Sequence, residues 1–122
     1  MANLNNSMAT AMQISGAIAV AIVDMESGMC LGQGGGNGIN LDVAAAGNTE
    51  VVRAKMNTMR ELGLNDEIED ILITLGTQYH LIRLIKAKGS AGLFLYLVLD
   101  KSKANLALAR HKVSELEKTF TL

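Results

Sequence analysis

The chain has 122 residues, a length that suggests a single domain over residues 1–122. Hydrophobic residues make up 49% of it, too many for a disordered chain, and the formal net charge of −1 indicates no class of charged partner. The apolar runs are too short to span a bilayer. A signal peptide requires basic residues near its start, but no Lys or Arg occurs before Arg53. With a single cysteine, the chain cannot form an internal disulfide. These features predict a cytoplasmic protein without membrane insertion.

The first part of the chain predicts a helix followed by a β-hairpin. Over residues 2–13, Leu4, Met8 and Met12 recur four apart, the spacing of one face of a helix. Residues 15–24 are typical of a strand that is apolar on both faces, which indicates that both faces are covered. The turn MESG, which ends in glycine, and the run MCLGQ complete the hairpin.

The segment GQGGGNGIN, residues 32–40, concentrates five glycines within seven residues. It fails as a phosphate-binding loop, because that motif ends in Gly-Lys-Ser/Thr and no Lys occurs between residues 1 and 54. The dinucleotide-binding pattern fails as well, since the sixth position counted from Gly32 is Asn37 and no parallel strand–turn–helix unit surrounds it. We therefore predict a flexible connection between a strand and a helix.

A long helix is predicted from about Leu41 to Leu62, with Asn40 as its N-cap and Gly63 as its stop. On a helical wheel its apolar and small residues fill an arc of roughly 200°, about twice what a one-sided surface helix needs. We expect one half of this arc on the sheet and the other on a partner chain, because a small domain rarely covers a helix on two sides; burial within its own domain is the alternative. The arc consists of two stripes, one of Leu41, Ala45, Val52, Met56 and Met59, and one of Ala44, Gly47, Val51, Ala54, Thr58 and Leu62.

The rest of the chain predicts three strands and a helix. Residues 68–75 and 79–87 form a hairpin, and residues 93–100 form a strand that is apolar on both faces and therefore central. A last helix, capped by Asp100 or Ser102, carries a single apolar stripe. The members of that stripe are Leu106, Ala109, Val113, Leu116 and Phe120.

Together these elements predict an α+β domain with the order α-β-β-α-β-β-β-α. Short hairpins join most of the strands, so the five-stranded sheet should be antiparallel, and the apolar faces of its strands require helices on both sides.

No set of residues indicates catalysis or metal binding. His80 and His111 have no second ligand at metal-binding spacing, and both are expected at the surface. Cys30 lies in an apolar strand, where a buried thiol is the usual state. The acidic run NDEIED, residues 65–70, is expected to be a solvated strand entry that protects a sheet edge, with a docking patch for a basic partner as the alternative. We predict a protein without enzymatic activity, cofactor or metal.

The uneven distribution of charge gives little support to nucleic-acid binding. Residues 1–52 carry four acids and no base, whereas residues 53–122 carry 11 bases and eight acids. Only two Tyr and two Phe are present, and they do not interleave with the bases as a single-strand binding surface requires. Two chain halves that interleave in one fold account for the asymmetry.

Three stretches of the sequence resemble the roadblock family, of the dynein light chain/roadblock superfamily. They are GAIAVAIVDMESGMCLG, with Asp24 and Gly28 at its turn, IEDILITLGTQYHLIR, and LFLYLVLDKSKANLALAR, a strand that ends in Asp before a helix. The resemblance covers nearly the whole chain. It implies a roadblock/profilin-like α/β/α sandwich, and homodimers in which the middle helices pack together and the third strands extend the sheet. Family members are typically non-enzymatic platforms that bind small Ras-like GTPases or attach to motor, motility and signalling complexes.

The residues and the resemblance together predict a homodimeric interaction module whose other partner is a small GTPase or another protein. An unpaired charge placed in its apolar seam would cost a few kcal/mol. The alternative function is a small-molecule-sensing domain, which would need a cavity with converging polar groups. Because the partner-facing stripe is undecided, the predicted dimer interface draws on both stripes and on the third strand: Ala44, Val51, Val52, Lys55, Met59, Ile71 and Ile73.

Overall fold

The computed structural model describes residues 4–36, 38–86 and 92–120. The elements in these ranges are α1 (Leu4–Ala11), β1 (Ala17–Asp24), β2 (Cys30–Gly35), α2 (Leu41–Glu61), β3 (Asp70–Thr74), β4 (Gln78–Leu84), β5 (Leu93–Asp100) and α3 (Leu106–Glu117). Their order is the predicted α-β-β-α-β-β-β-α. Within the described ranges, no helix combines the length and the apolar character that crossing a membrane would demand.

The five strands form one sheet in the order β2-β1-β5-β4-β3, and every neighbouring pair is antiparallel. β5 lies at the centre, as predicted, and all of its residues from Leu93 to Leu99 are buried. β2 and β3 each pair with a single strand and are the two edges of the sheet.

Hydrophobic layers cover both faces of the sheet, which confirms the predicted fold class. On one face, α1 and α3 pack against residues that include Ile22 and Leu97. On the other face, α2 packs against residues that include Ala21 and Tyr96. Alternation along each strand sends successive side chains to opposite layers, which explains why β1 and β5 are apolar at every position before their final aspartate.

The glycine-rich segment is a strand in its first part. β2 continues through Gly35, two residues beyond the predicted strand MCLGQ, so the connection to α2 begins only after Gly35. Glycine lets α1 lie close to this strand, because a Cβ atom on Gly34 would sit 3.2 Å from both the Met12 Cγ and the Val20 Cγ1 atoms. The sequence did not reveal this role, since the neighbour that a glycine accommodates is set by tertiary packing.

The ends of α2 follow the predicted caps. The Asn40 side chain accepts hydrogen bonds from two backbone N–H groups of the first turn, both at 3.1 Å. At the other end, the Gly63 and Leu64 N–H groups donate to the carbonyls of Arg60 and Met59. This is the Schellman arrangement, and Gly63 supplies the left-handed residue it needs, with φ at +71°.

The cap of α3 differs from the prediction. Asn105 caps the helix by accepting a hydrogen bond from the Leu108 N–H at 3.1 Å. Asp100 instead closes the preceding turn, where its carboxylate accepts from the N–H and the hydroxyl of Ser102 at 3.0 and 2.7 Å. Four members of the predicted stripe that follows are buried, as expected: Ala109, Val113, Leu116 and Phe120.

Candidate interaction surface between α2 and β3

The sheet-facing side of α2 buries Leu41, Ala45 and Val52, and Val52 is 0% exposed. Its place in the predicted dimer interface is therefore corrected: the chain's own core encloses Val52 and leaves it no surface for a partner. The structure decides in this way which stripe of the helix meets the sheet.

The adjacent stripe of α2 is open in the single chain. Val51 is 38% exposed and Leu62 is 66% exposed, high values for large apolar side chains, while Ala44 is half-buried. Contiguous apolar surface of this kind marks an interaction site more often than isolated exposed side chains do. The outward stripe, as we call it below, consists of Ala44, Gly47, Val51, Ala54, Thr58 and Leu62.

β3 presents a regular edge beside this stripe. Its register with β4 runs over five residue pairs without a bulge. Just before it, the Leu84 N–H donates to the Glu69 carbonyl at 3.2 Å, which places the hydrogen bonds to β4 on the odd-numbered residues. Antiparallel alternation then directs the N–H and C=O groups of Asp70, Leu72 and Thr74 toward the open edge.

A groove of about 580 Å³ runs between α2 and β3. It brings together four of the predicted interface residues: Val51, Lys55 and Met59 from α2, and Ile71 from β3. Ile73 lies on the same face of β3 as Ile71, and both are half-buried. The β3 side of the groove is acidic, with Asp66, Glu67 and Glu69 in its lining.

Asp70, at the start of this edge, belongs to an ion-pair network. Its carboxylate lies 2.7 Å from the Arg110 Nη2 atom and 3.8 Å from the Arg83 Nη1 atom, and its side chain is 10% exposed. The Arg83 Nε–H donates in turn to the Glu117 carboxylate at 3.0 Å. The prediction of a fully solvated acidic entry is therefore wrong for Asp70, because arginines from β4 and α3 converge on it and tie the edge strand to the opposite helix layer.

His80 is half-buried, which corrects its predicted surface position. Its Nδ1 lies 2.8 Å from the Tyr96 hydroxyl, its Nε2 lies 2.8 Å from the Gln78 Oε1, and the His80 and Tyr96 rings meet edge to face. Burial lowers the pKa of His80. Burial also raises the pKa of Tyr96, and the neighbouring Asn48 side chain on α2 opposes that rise. The Asn48 amide donates to the Ala44 carbonyl at 2.8 Å.

The other two side chains considered for chemistry are Cys30 and His111. Cys30 is half-buried, its thiol donates to the Gly32 carbonyl at 3.2 Å, and burial raises its pKa, which keeps it in the poorly nucleophilic neutral form. His111 is exposed, as predicted, and pairs with Glu115 at 3.0 Å. In the part of the chain that the structure describes, no three or more His, Cys, Asp or Glu side chains are placed to hold a metal ion.

A second groove, of about 600 Å³, lies near the C-terminal end of α2 and is lined mainly by Met, Leu and Ile side chains, including Met25, Met56 and Leu84. Its volume is within the range of ligand pockets. However, the Lys86 ammonium in its lining already pairs with the Glu67 carboxylate at 3.6 Å. Because this charge is already paired, the groove is weaker support for a small-molecule-sensing domain than the α2–β3 surface is for a protein interface.

These features define an α/β/α domain with one regular sheet edge beside an open helix face. A roadblock/LC7 domain from Streptomyces avermitilis is similar to it, with a TM-score of 0.81, 13% identity and coverage of 95% of this chain and 92% of that one. MglB from Myxococcus xanthus gives a TM-score of 0.76, 15% identity and coverage of 95% and 86%. The gliding protein MglB from Thermus thermophilus gives 0.75, 14%, and 93% and 82%. The chain thus has the roadblock/LC7 fold. No protein-family model and no curated protein matches the sequence.

Proposed function

We propose that this protein is a non-enzymatic, homodimeric interaction module in which α2 and β3 of two copies meet across a two-fold axis. The observation that carries the proposal is the α2–β3 groove, where exposed apolar side chains lie next to a regular, unpaired sheet edge. Either feature alone is common on protein surfaces, but side by side they offer a partner both backbone hydrogen bonds and apolar burial.

The β3 edge suits pairing with a second copy of itself. The outward N–H and C=O groups of Asp70, Leu72 and Thr74 fall on alternate residues, as an antiparallel partner strand requires. Two β3 strands related by a two-fold axis would extend the sheet from five to ten strands and remove the open edge.

The outward stripe of α2 suits close packing with a second helix. Its members recur at intervals of three and four residues, the spacing of a helix–helix seam. Gly47 is informative, because a Cβ atom built there meets no described atom within 4 Å, so the chain's own fold does not require glycine. A glycine inside a helix costs about 1 kcal/mol relative to alanine, and close approach of a partner helix would offset that cost.

Charge is also complementary between two copies. Lys55 stands on the α2 side of the groove, and Asp66, Glu67 and Glu69 stand on the β3 side. A second copy that enters the groove would bring its own lysine toward these carboxylates. Exposed pairs of this kind contribute little affinity but help to set the register of an interface.

The second partner that we propose is a small Ras-like GTPase, or a component of a motility or signalling complex, in the cytoplasm. This part rests on the family resemblance of the sequence and on the fold shared with MglB, including a gliding protein. The test is retention of purified small GTPases on the immobilised protein, with each GTPase loaded with GDP or with a GTP analogue. Binding that depends on the nucleotide supports this partner class, and no binding in either state counts against it.

Self-association is tested by a charge placed in the outward stripe. We expect Val51→Asp to convert the dimer into a folded monomer, because the carboxylate would be buried without a partner at a cost of a few kcal/mol, equivalent to a dissociation constant at least about a hundredfold higher. Light scattering coupled to size-exclusion chromatography measures the mass of each species.

Asn57→Asp is the matched control, since Asn57 is exposed on the same helix but lies on its polar side, four residues from both Arg53 and Glu61. It should remain dimeric. Dimers of unchanged affinity in both variants, or a wild-type protein that is monomeric at every concentration, would refute the homodimer.

A further inference from the structure

The C-terminal half of α2 has little cover from the rest of the chain. The helix buries four residues up to Val52, but none of its later residues is buried. Arg53 still reaches the β1–β2 turn, where its Nη2 donates to the Met25 and Glu26 carbonyls at 2.8 and 2.7 Å. Beyond that contact a groove lies on each flank of the helix, the α2–β3 groove on one side and the groove of about 600 Å³ on the other.

The groove of about 600 Å³, which we call the methionine groove, offers an adaptable apolar surface. Met56 is 41% exposed and Leu64 is 52% exposed, high values for apolar side chains that line one groove. Methionine has an unbranched, polarisable side chain, so it adjusts to the shape of what packs on it. Exposed apolar surface of this kind marks an interaction site. The apolar lining consists of Met25, Met56, Met59, Leu64, Ile68, Leu84 and Ile85.

The backbone in the lining of the methionine groove is already hydrogen-bonded within the chain. The Met25 and Ile85 N–H groups donate to carbonyls at the start of β5, both at 2.9 Å. The Lys86 N–H donates to the Glu117 carboxylate at 2.8 Å. A partner strand would find these donors occupied. A helix satisfies its own backbone groups and needs only an apolar face, so a helix is the element that this groove fits.

The charge on Arg60 indicates the chemistry of that helix. Among the described residues, the Arg60 guanidinium donates to the Asn57 side-chain oxygen, a neutral group, and no carboxylate forms an ion pair with it. Glu67 is already in an ion pair, and Asp66 also lines the α2–β3 groove, where a second copy would bring a lysine. A carboxylate beside the apolar face of the incoming helix would therefore pair with Arg60.

We propose that the methionine groove docks an amphipathic helix of a partner protein, and that this helix carries a carboxylate beside its apolar face to pair with Arg60. The helix belongs to the second partner, so the assignment rests on the proposed function, which leaves the α2–β3 groove to a second copy. Met59 and Leu64 line both grooves, so a helix docked here continues the proposed dimer surface around the end of α2.

The test uses two synthetic helical peptides of about 16 residues, each with leucines that recur every three and four positions. Glutamates flank the leucines in the first peptide, and lysines replace those glutamates in the second. The glutamate peptide should bind at least about tenfold more tightly in isothermal titration calorimetry, because a lysine would meet Arg60 with like charge. No binding of either peptide, or equal binding of both, overturns the proposal.

Variants of two cations on α2 show whether the peptide meets Arg60. Arg60→Gln should weaken binding of the glutamate peptide about tenfold. Lys55→Gln is the matched control, because Lys55 is exposed on the same helix but lines the α2–β3 groove and not the methionine groove. It should change the affinity by less than about twofold. Equal losses in the two variants count against a pairing with Arg60 and overturn the proposal.

NMR of the methionine methyl groups locates the bound peptide. The glutamate peptide should shift the Met25 and Met56 signals and leave the Met29 signal unchanged, since Met29 is 63% exposed but outside the groove. A larger shift at Met29 would place the peptide elsewhere. A Met25 signal that moves with protein concentration alone would mean that a second copy fills the groove, and an apolar molecule that co-purifies in it would make it a ligand pocket. Each of these three results overturns the proposal.

Val51→Asp separates failure of the groove from failure of the proposed function. This variant is expected to be monomeric but leaves the lining of the methionine groove unchanged. The glutamate peptide should therefore bind it as tightly as it binds the wild type. If the wild type is itself monomeric, the homodimer fails and the peptide still decides the groove. If the peptide binds neither protein, the groove fails whether or not dimers form.

Discussion

The two edges of the sheet differ in how ready they are for a partner strand. At the β2 edge the register shifts between Ile22 and Val23, Gly35 adopts φ of +63°, and α1 lies against the glycines. At the β3 edge the register is unbroken, and the half-buried Ile71 lines a groove.

Bulges and irregular backbone are devices that prevent edge pairing, and β2 has both. β3 has neither. The difference teaches that edge strands of one sheet can have opposite roles. β2 packs against α1 within the chain, and β3 is the edge that the proposed dimer uses. The predictions below test this division, from the largest expected effect to the smallest.

The largest effect is expected where β2 is shaped around its neighbours. A Cβ atom on Gly35 would lie 2.5 Å from both the Ile18 carbonyl oxygen and the Met12 Cε atom. Gly35→Ala should therefore destabilise the fold by about 2–4 kcal/mol in urea unfolding, because backbone must move as well as a side chain. Gly38→Ala is the control, since Gly38 has φ of +83° but no described atom within 4 Å of its Cβ position. It should lose only about 1–2 kcal/mol, and equal losses would contradict the close fit of β2.

The second prediction compares the two edges by placing proline, on each edge strand, at a residue whose backbone N–H points outward. The Gly36 N–H donates to the Ile18 carbonyl, which leaves the Gln33 N–H directed outward on β2, as the Thr74 N–H is on β3. Thr74→Pro should raise the dimer dissociation constant about tenfold or more, because it removes a donor at the pairing edge. Gln33→Pro should leave the dimer intact, and Thr74→Ala controls for the lost side chain. Dimers weakened equally by both prolines would show that β3 is not the special edge.

The smallest effect concerns the ion pairs that hold β3 from the opposite face. Arg110→Ala removes the 2.7 Å contact with Asp70 but leaves Arg83 beside it. Because the Arg110 side chain is 49% exposed, we expect a loss of only about 1 kcal/mol in thermal unfolding, with a modest weakening of the dimer. His111→Ala, which removes an exposed pair on the same helix, should change stability by less than about 0.5 kcal/mol. Equal effects of the two variants would mean that the Asp70 network does not brace the edge.

Much of the fold could be predicted because its signals are local. The caps of α2 are set by Asn40 and Gly63, which act within one turn of the helix. The position of β5 followed from a run of apolar residues that only a strand covered on both faces can bury. The capping residue of α3 was missed because Asp100, Ser102 and Asn105 all have side chains that cap helices, and only the path of the turn selects among them.

The candidate site was less predictable, because its residues come from distant parts of the chain. The ion pairs of Asp70 reach residues 13 and 40 positions away in the chain. His80 is shielded in part by Tyr96, a residue of β5 whose ring meets it edge to face, so its half-buried state has no signature in the hairpin that carries it.

The sequence by itself determined which elements form, where α2 begins and ends, and that this helix carries two stripes of apolar or small residues, because hydrogen bonding and periodicity act over a few residues. Only the tertiary structure decided that Val52 faces the sheet while Val51 lies open, and that the glycines of β2 admit α1. The physical reason is that burial depends on what approaches from elsewhere in the chain. Two stripes of similar apolar character, and two edges of one sheet, become different only when the rest of the molecule covers one of each and leaves the other exposed.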